Sequence, residues 1–90
     1  MLTLRTTGQF RKDYKLAKKR GLDLSLLEMV IDTLLSEKQL DEKYYDHALT
    51  GNYVGFRECH IQFNWLLIYR IERDGLILIT ARTGTHSDLF

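Results

Sequence analysis

The spacing of apolar residues along the chain switches between a period of two and a period near 3.6, and each switch marks an element. Leu2, Leu4 and Thr6 alternate with Thr3 and Arg5, which predicts a short first strand. Thr6 or Thr7 can cap a helix that runs to about Arg20, with Phe10, Tyr14 and Ala17 on one face and Gly21 as its stop. Ser25 and Glu28 stand in capping-box spacing ahead of Leu27, Ile31, Leu34 and Leu35, a second apolar stripe at helical period. From about Lys38 to Asn52 the periodicity lapses into a loop. Three β-rich segments follow, Tyr53 to Ile61, Trp65 to Ile71 and Leu76 to Ala81, the last two flanking an Asp74-Gly75 hairpin signal. The reading is α+β in the order β-α-α-β-β-β, with a two-helix hairpin on one face of a mainly antiparallel sheet.

At 90 residues the chain can bury one core and not two, so a single domain spanning residues 1–90 is expected. Apolar residues make up 44% and charged residues 28%, an ordinary globular balance. No apolar stretch approaches the roughly 18 residues that span a bilayer, and Met1 to Gly8 lacks the pattern of a secretion signal, so a cytoplasmic location is expected. The net charge of +1 hides a strong asymmetry. Up to Arg20 there are seven basic residues and one acidic; from Gly21 onward there are six basic and eleven acidic. Arg11, Lys12, Lys15, Lys18 and Lys19 therefore form a candidate surface for a polyanion or an acidic protein, with a merely solvated helix face as the alternative.

The candidate chemistry lies in the C-terminal half. An unperturbed imidazole titrates near neutrality, so a pair drawn from His47, His60 and His86 can supply both a general base and a general acid. RNA carries its own nucleophile, the 2′-hydroxyl, so such a pair needs neither metal nor cofactor to cleave it. The expectation is that folding gathers these histidines and Arg82 into one pocket around a phosphodiester. In the tail Arg82-Thr83-Gly84-Thr85-His86, Gly84 permits an unusual turn and the residues around it offer donors suited to a phosphate. Trp65 is read as part core and part stacking platform, core packing being the more frequent role. A zinc site from the histidines and Cys59 is disfavoured, because adjacent strand positions such as Cys59 and His60 point to opposite faces.

Four segments in register resemble one family: Asp46-His47-x-Leu49-x-Gly51; Gly55-Phe56-Arg57-Glu58-x-His60; Trp65-Leu66-Leu67-Ile68-Tyr69; and Arg82-Thr83-Gly84-Thr85-His86-x-x-Leu89-Phe90. The chain is similar to the YafQ branch of the RelE toxin superfamily from Gly8 to its last residue. The resemblance implies a RelE-like fold and a ribosome-dependent mRNA endonuclease. Such a toxin acts on the codon in the ribosomal A site, leaves a 2′,3′-cyclic phosphate and a 5′-hydroxyl, and is silenced by a cognate antitoxin. It places His47, His60, His86, Trp65 and Phe90 on active-site positions and Arg82 on a phosphate-binding one. One departure stands out: where the family has aspartate before the tryptophan, this chain has Asn64, which can orient a neighbour but cannot take up its proton. The competing expectation is a ParE-like gyrase inhibitor acting as a binding protein, which needs no histidine set.

Overall fold

The computed structural model describes all residues 1–90. In chain order the elements are β1 (Thr3–Thr6), α1 (Gly8–Lys19), α2 (Leu24–Leu35), β2 (His47–Ala48), β3 (Arg57–Gln62), β4 (Trp65–Glu72), β5 (Ile77–Gly84) and α3 (His86–Leu89), with 3-10 turns at Glu42–Tyr44 and Gly51–Tyr53. The five strands lie in the order β1-β5-β4-β3-β2; β1 runs parallel to β5 and every other pair is antiparallel. The α+β expectation holds, with two elements that periodicity could not reveal: the two-residue β2 and the one-turn α3.

Thr7 caps α1 by accepting from the Phe10 amide, and Gly21 follows the helix with φ of 79°. The cap of α2 is Asp23, whose carboxylate accepts from the Ser25 amide, and not Ser25 itself. In the β4–β5 hairpin the left-handed residue is Leu76 (φ 52°) rather than Gly75.

Alternation sorts the sheet into two faces. Cys59, Trp65, Leu67, Tyr69 and Leu78 face the helices and pack with Phe10, Ala17, Leu27, Val30, Ile31 and Leu34 into the main core. Each fully buried leucine there, such as Leu27 or Leu67, contributes roughly 1.5–3 kcal/mol. On the opposite face Leu66, Ile68 and Ala81 are covered by Leu89 of α3 and by Leu49, Tyr53 and Phe56. That second, smaller cluster fastens the β2–β3 connection and the C-terminal helix to the sheet, which carries the candidate chemistry to one end of one face.

Candidate active site

Strand register fixes what stands beside what. One row across the helix-free face reads His47, Glu58, Ile68 and Arg82; the next reads His60, Leu66 and Gly84. With neighbouring strands about 4.8 Å apart, His47 and Arg82 stand some three strand spacings, roughly 14 Å, from each other. The site is therefore two neighbouring clusters at one end of a sheet face, and the single enclosed pocket expected from the sequence is replaced by that arrangement.

The first cluster joins His47, Glu58 and His60. The His47 and His60 ring centroids are 6.4 Å apart. Between them lies Glu58, whose side chain is only 7% exposed; its Oε1 is 3.4 Å from His60 Nε2 and 3.7 Å from His47 Nε2. His47 Nδ1 is 2.6 Å from the Tyr45 carbonyl oxygen, which can only accept, so Nδ1 carries a proton and Nε2 holds the lone pair of the neutral ring. His60 Nε2 faces the same carboxylate oxygen within ion-pair distance. Asp46 ties β2 in place: it accepts from Tyr69 Oη at 2.5 Å and from Arg57 Nη2 at 3.0 Å. Burial, reinforced by the bond to Asp46, raises the Tyr69 pKa well above that of a free phenol.

The second cluster holds His86, Phe90 and Arg82. Thr85 and Asp88 form a reciprocal capping box at the start of α3, and Asp88 also pairs with Arg20 at 2.7 Å. Hydrogen bonds from Arg20 and from the Thr85 amide hold the Asp88 carboxyl well below the usual carboxylate range. The Asn64 side-chain carbonyl accepts from the His86 amide at 3.2 Å, and the exposed His86 ring lies 5.0 Å from that of Phe90. Phe90 in turn meets Tyr53 edge-on at 5.6 Å. Arg82 donates from Nε to Asp13 at 2.8 Å and from Nη2 at 3.2 Å, and Asp13 also accepts from the Thr83 amide. Hydrogen bonding to Asp13 raises the Arg82 pKa above the ordinary arginine value.

Several sequence expectations change here. Trp65 is 2% exposed in the main core, with Nε1 bonded to Thr83 Oγ1 at 2.9 Å, so its ring offers no platform to a base. The Thr83 hydroxyl accepts from Trp65 and donates to the Leu66 carbonyl, so it is not free for a phosphate, while the Thr85 hydroxyl oxygen accepts from the Asp88 amide. Gly84 takes no unusual backbone conformation; a Cβ there would meet Asp88 Oδ2 at 2.9 Å, so closeness explains the glycine. Cys59 is buried on the face turned from His60, its thiol pushed up to about 12 by burial.

The basic helix also divides. Arg11 and Lys15 flank an apolar groove beside β1, while Lys12, Lys18 and Lys19 are exposed without ion pairs. Glu58, Tyr45, Asp13 and Arg20 were missed at the sequence level. Glu58 was detectable: Glu58-x-His60 puts both side chains on one face of any strand.

The family model described as bacterial toxin of type II toxin-antitoxin system, YafQ, matches residues 2–90. The chain belongs to the YafQ toxin family. The mRNA interferase toxin YafQ of Escherichia coli K12 is 39% identical over 85 residues, 93% of this chain and 90% of that protein. A metal-bound toxin from Helicobacter pylori superposes with a TM-score of 0.94 at 44% identity over the whole of both chains. YafQ in its E. coli complex with DinJ superposes with a TM-score of 0.91 at 36% identity, covering 100% of this chain and 99% of that one. In this YafQ-family chain no three His, Cys, Asp or Glu side chains are grouped to hold a metal ion.

Proposed function

We propose that this YafQ-family chain is an mRNA interferase, an endoribonuclease that cuts mRNA in the ribosomal A site and is silenced by a cognate antitoxin. The observation that carries the reading is the imidazole pair around a buried carboxylate, set at the same sheet end as an exposed imidazole and a guanidinium. His47 or His60 takes the proton from the 2′-hydroxyl. His47 has its lone pair on Nε2, and once that nitrogen is protonated the Glu58 oxygen faces the new charge. The freed oxygen attacks the adjacent phosphorus, Arg82 faces the charge that develops on the phosphoryl oxygens, and His86 protonates the departing 5′-oxygen. The products are a 2′,3′-cyclic phosphate and a 5′-hydroxyl. Asn64 holds the backbone that carries His86 and takes no part in proton transfer. Phe90 supplies a surface for a base.

The exposed lysines of α1 suit two anionic partners in turn, ribosomal RNA and an acidic antitoxin, and no helix is long and apolar enough to cross a membrane. Purified protein added to a translation reaction should give mRNA breaks at codon-defined positions whose 3′ ends mass spectrometry shows as cyclic phosphates. Intact mRNA together with gyrase-dependent DNA breaks would favour the ParE-like alternative and end the nuclease reading.

A further inference from the structure

We propose that the recess on the outer side of His47 and His60 is a nucleobase subsite, with Tyr45 and Phe63 as its stacking walls. The inference rests on the endonuclease reading above and names where that reaction holds its RNA.

The open recess offers about 760 Å³, within the roughly 300–1,000 Å³ usual for sites that hold small organic groups. Its apolar part comes from Leu26 and Ile61, and both candidate bases line it. Tyr45 takes a left-handed backbone conformation (φ 49°), and its backbone N–H donates to the Glu42 carbonyl. That turn sets its ring edge-on to His60 at 5.7 Å, although the side chain is 69% exposed. Phe63, in the β3–β4 turn, is 99% exposed. Two unprotected aromatic rings beside one pair of histidines are costly to leave in water and suited to a flat, aromatic ligand. Tyr44, Lys43 and Gln62 complete the lining; Lys43, whose ammonium lies over the Tyr44 ring, brings a charge for a phosphate, and Gln62 an amide that can both donate to and accept from a base edge.

Geometry selects the occupant. A ribose whose 2′-hydroxyl reaches His47 or His60 carries its base one glycosidic bond away, so that base lies against these histidines. On the inner side Leu66 and Ile68 are sealed beneath Leu49, Tyr53, Phe56 and Leu89. The outer recess is the space that remains. The nucleotide on the 5′ side of the cut therefore stacks there, while Phe90 stands across the sheet beside His86.

Single-turnover cleavage of mRNA on programmed ribosomes, with toxin concentration varied, tests this in the parent, Tyr45→Ala, Phe63→Ala and the double variant. Loss of each ring should raise the half-saturating toxin concentration about tenfold and lower the maximal rate less than threefold, because stacking binds without moving protons. The distribution of nucleotides on the 5′ side of the cut should change as well. His86→Ala should do the reverse, losing rate at unchanged half-saturation. Unchanged half-saturation and cut distribution in Phe63→Ala would overturn the subsite, with the nuclease reading intact. Weakened antitoxin binding alone would likewise overturn it and make the rings a protein-docking surface. A parent that cuts no mRNA at all removes both proposals.

Discussion

The carboxylates around the helix-free face and its edges divide by the company they keep. Asp13, Asp46 and Asp88 each face a guanidinium, from Arg82, Arg57 and Arg20 respectively. Glu58 faces two imidazoles and no arginine. An arginine stays charged throughout the physiological range, so its partner is a fixed strut. An imidazole changes charge near neutrality, so the carboxylate beside it sees a charge come and go. The comparison teaches that the struts position the strands and the last helix, whereas the imidazole-bound carboxylate belongs to the reaction.

The largest expected effect sharpens the reactive side. His86 is exposed and its ring contacts only Phe90 among the aromatic side chains, so His86→Ala should leave thermal unfolding unchanged while cleavage falls on the order of 100- to 10,000-fold. Cleavage within tenfold of the parent, read by primer extension, would remove His86 as the acid.

Asp13→Ala tests the opposite side. Asp13 is 8% exposed and satisfies both Arg82 and the free amide of Thr83 at the open edge of β5. Its loss strands those donors and should cost about 2–4 kcal/mol in urea unfolding. A destabilisation no larger than that of a surface substitution would show that the strut carries no strain.

Glu58→Gln separates the two classes most directly. The amide keeps size and burial but can no longer offset a positive imidazole, so unfolding should shift little while maximal cleavage falls on the order of 10- to 100-fold. Long-range ¹H–¹⁵N spectra should show the ring-nitrogen pattern of His60 change, since Nε2 loses its carboxylate. A variant that lost stability and kept its rate would place Glu58 among the struts.

Asp88→Asn should cost about 1 kcal/mol at neutral pH, the usual worth of a helix cap. Its pH dependence follows from the depressed carboxyl. Because the folded value lies below the unfolded one, Asp88 stabilises fully above about pH 5 and progressively less as acid approaches the folded value. Thermal melts at pH 6 and pH 3 should therefore differ less in the variant than in the parent; an equal difference would mean that Asp88 is uncoupled from folding.

Much of this arrangement was legible in the residues. The long strands and both main helices follow from period, and the β4–β5 hairpin from Asp74-Gly75. What escaped was short or made by contact. Two residues cannot establish a period, so β2 shows itself only in its pairing with β3, flanked by the Asp46 bonds to Arg57 and Tyr69 and by the Leu49 amide on the Phe56 carbonyl. Helix α3 is a single turn, although Thr85-His86-Ser87-Asp88 carries the capping-box spacing that could have announced it. Trp65 was hard to place because one aromatic beside a two-sided apolar run fits either face. Its alternation with Leu67 and Tyr69 points to the core, where it lies. No sequence rule could show that Arg82 commits Nε and Nη2 to Asp13, since 69 residues separate them.

The smallest expected effect concerns Asn64. Asn64 sits between the two classes of region: it lies in the β3–β4 turn beside the reactive residues, yet its observed contact is that of a strut, the side-chain oxygen holding the His86 amide at 3.2 Å. Aspartate offers an oxygen in the same place, so Asn64→Asp keeps the hold on α3 and adds a negative charge near His86. That charge favours the protonated imidazole, the form a general acid must present. Cleavage should stay level or rise by up to about tenfold, with thermal stability within about 0.5 kcal/mol of the parent. If the rate instead fell steeply while the fold held, the amide nitrogen would have a role of its own toward the RNA, and Asn64 would move from the struts to the groups that touch substrate.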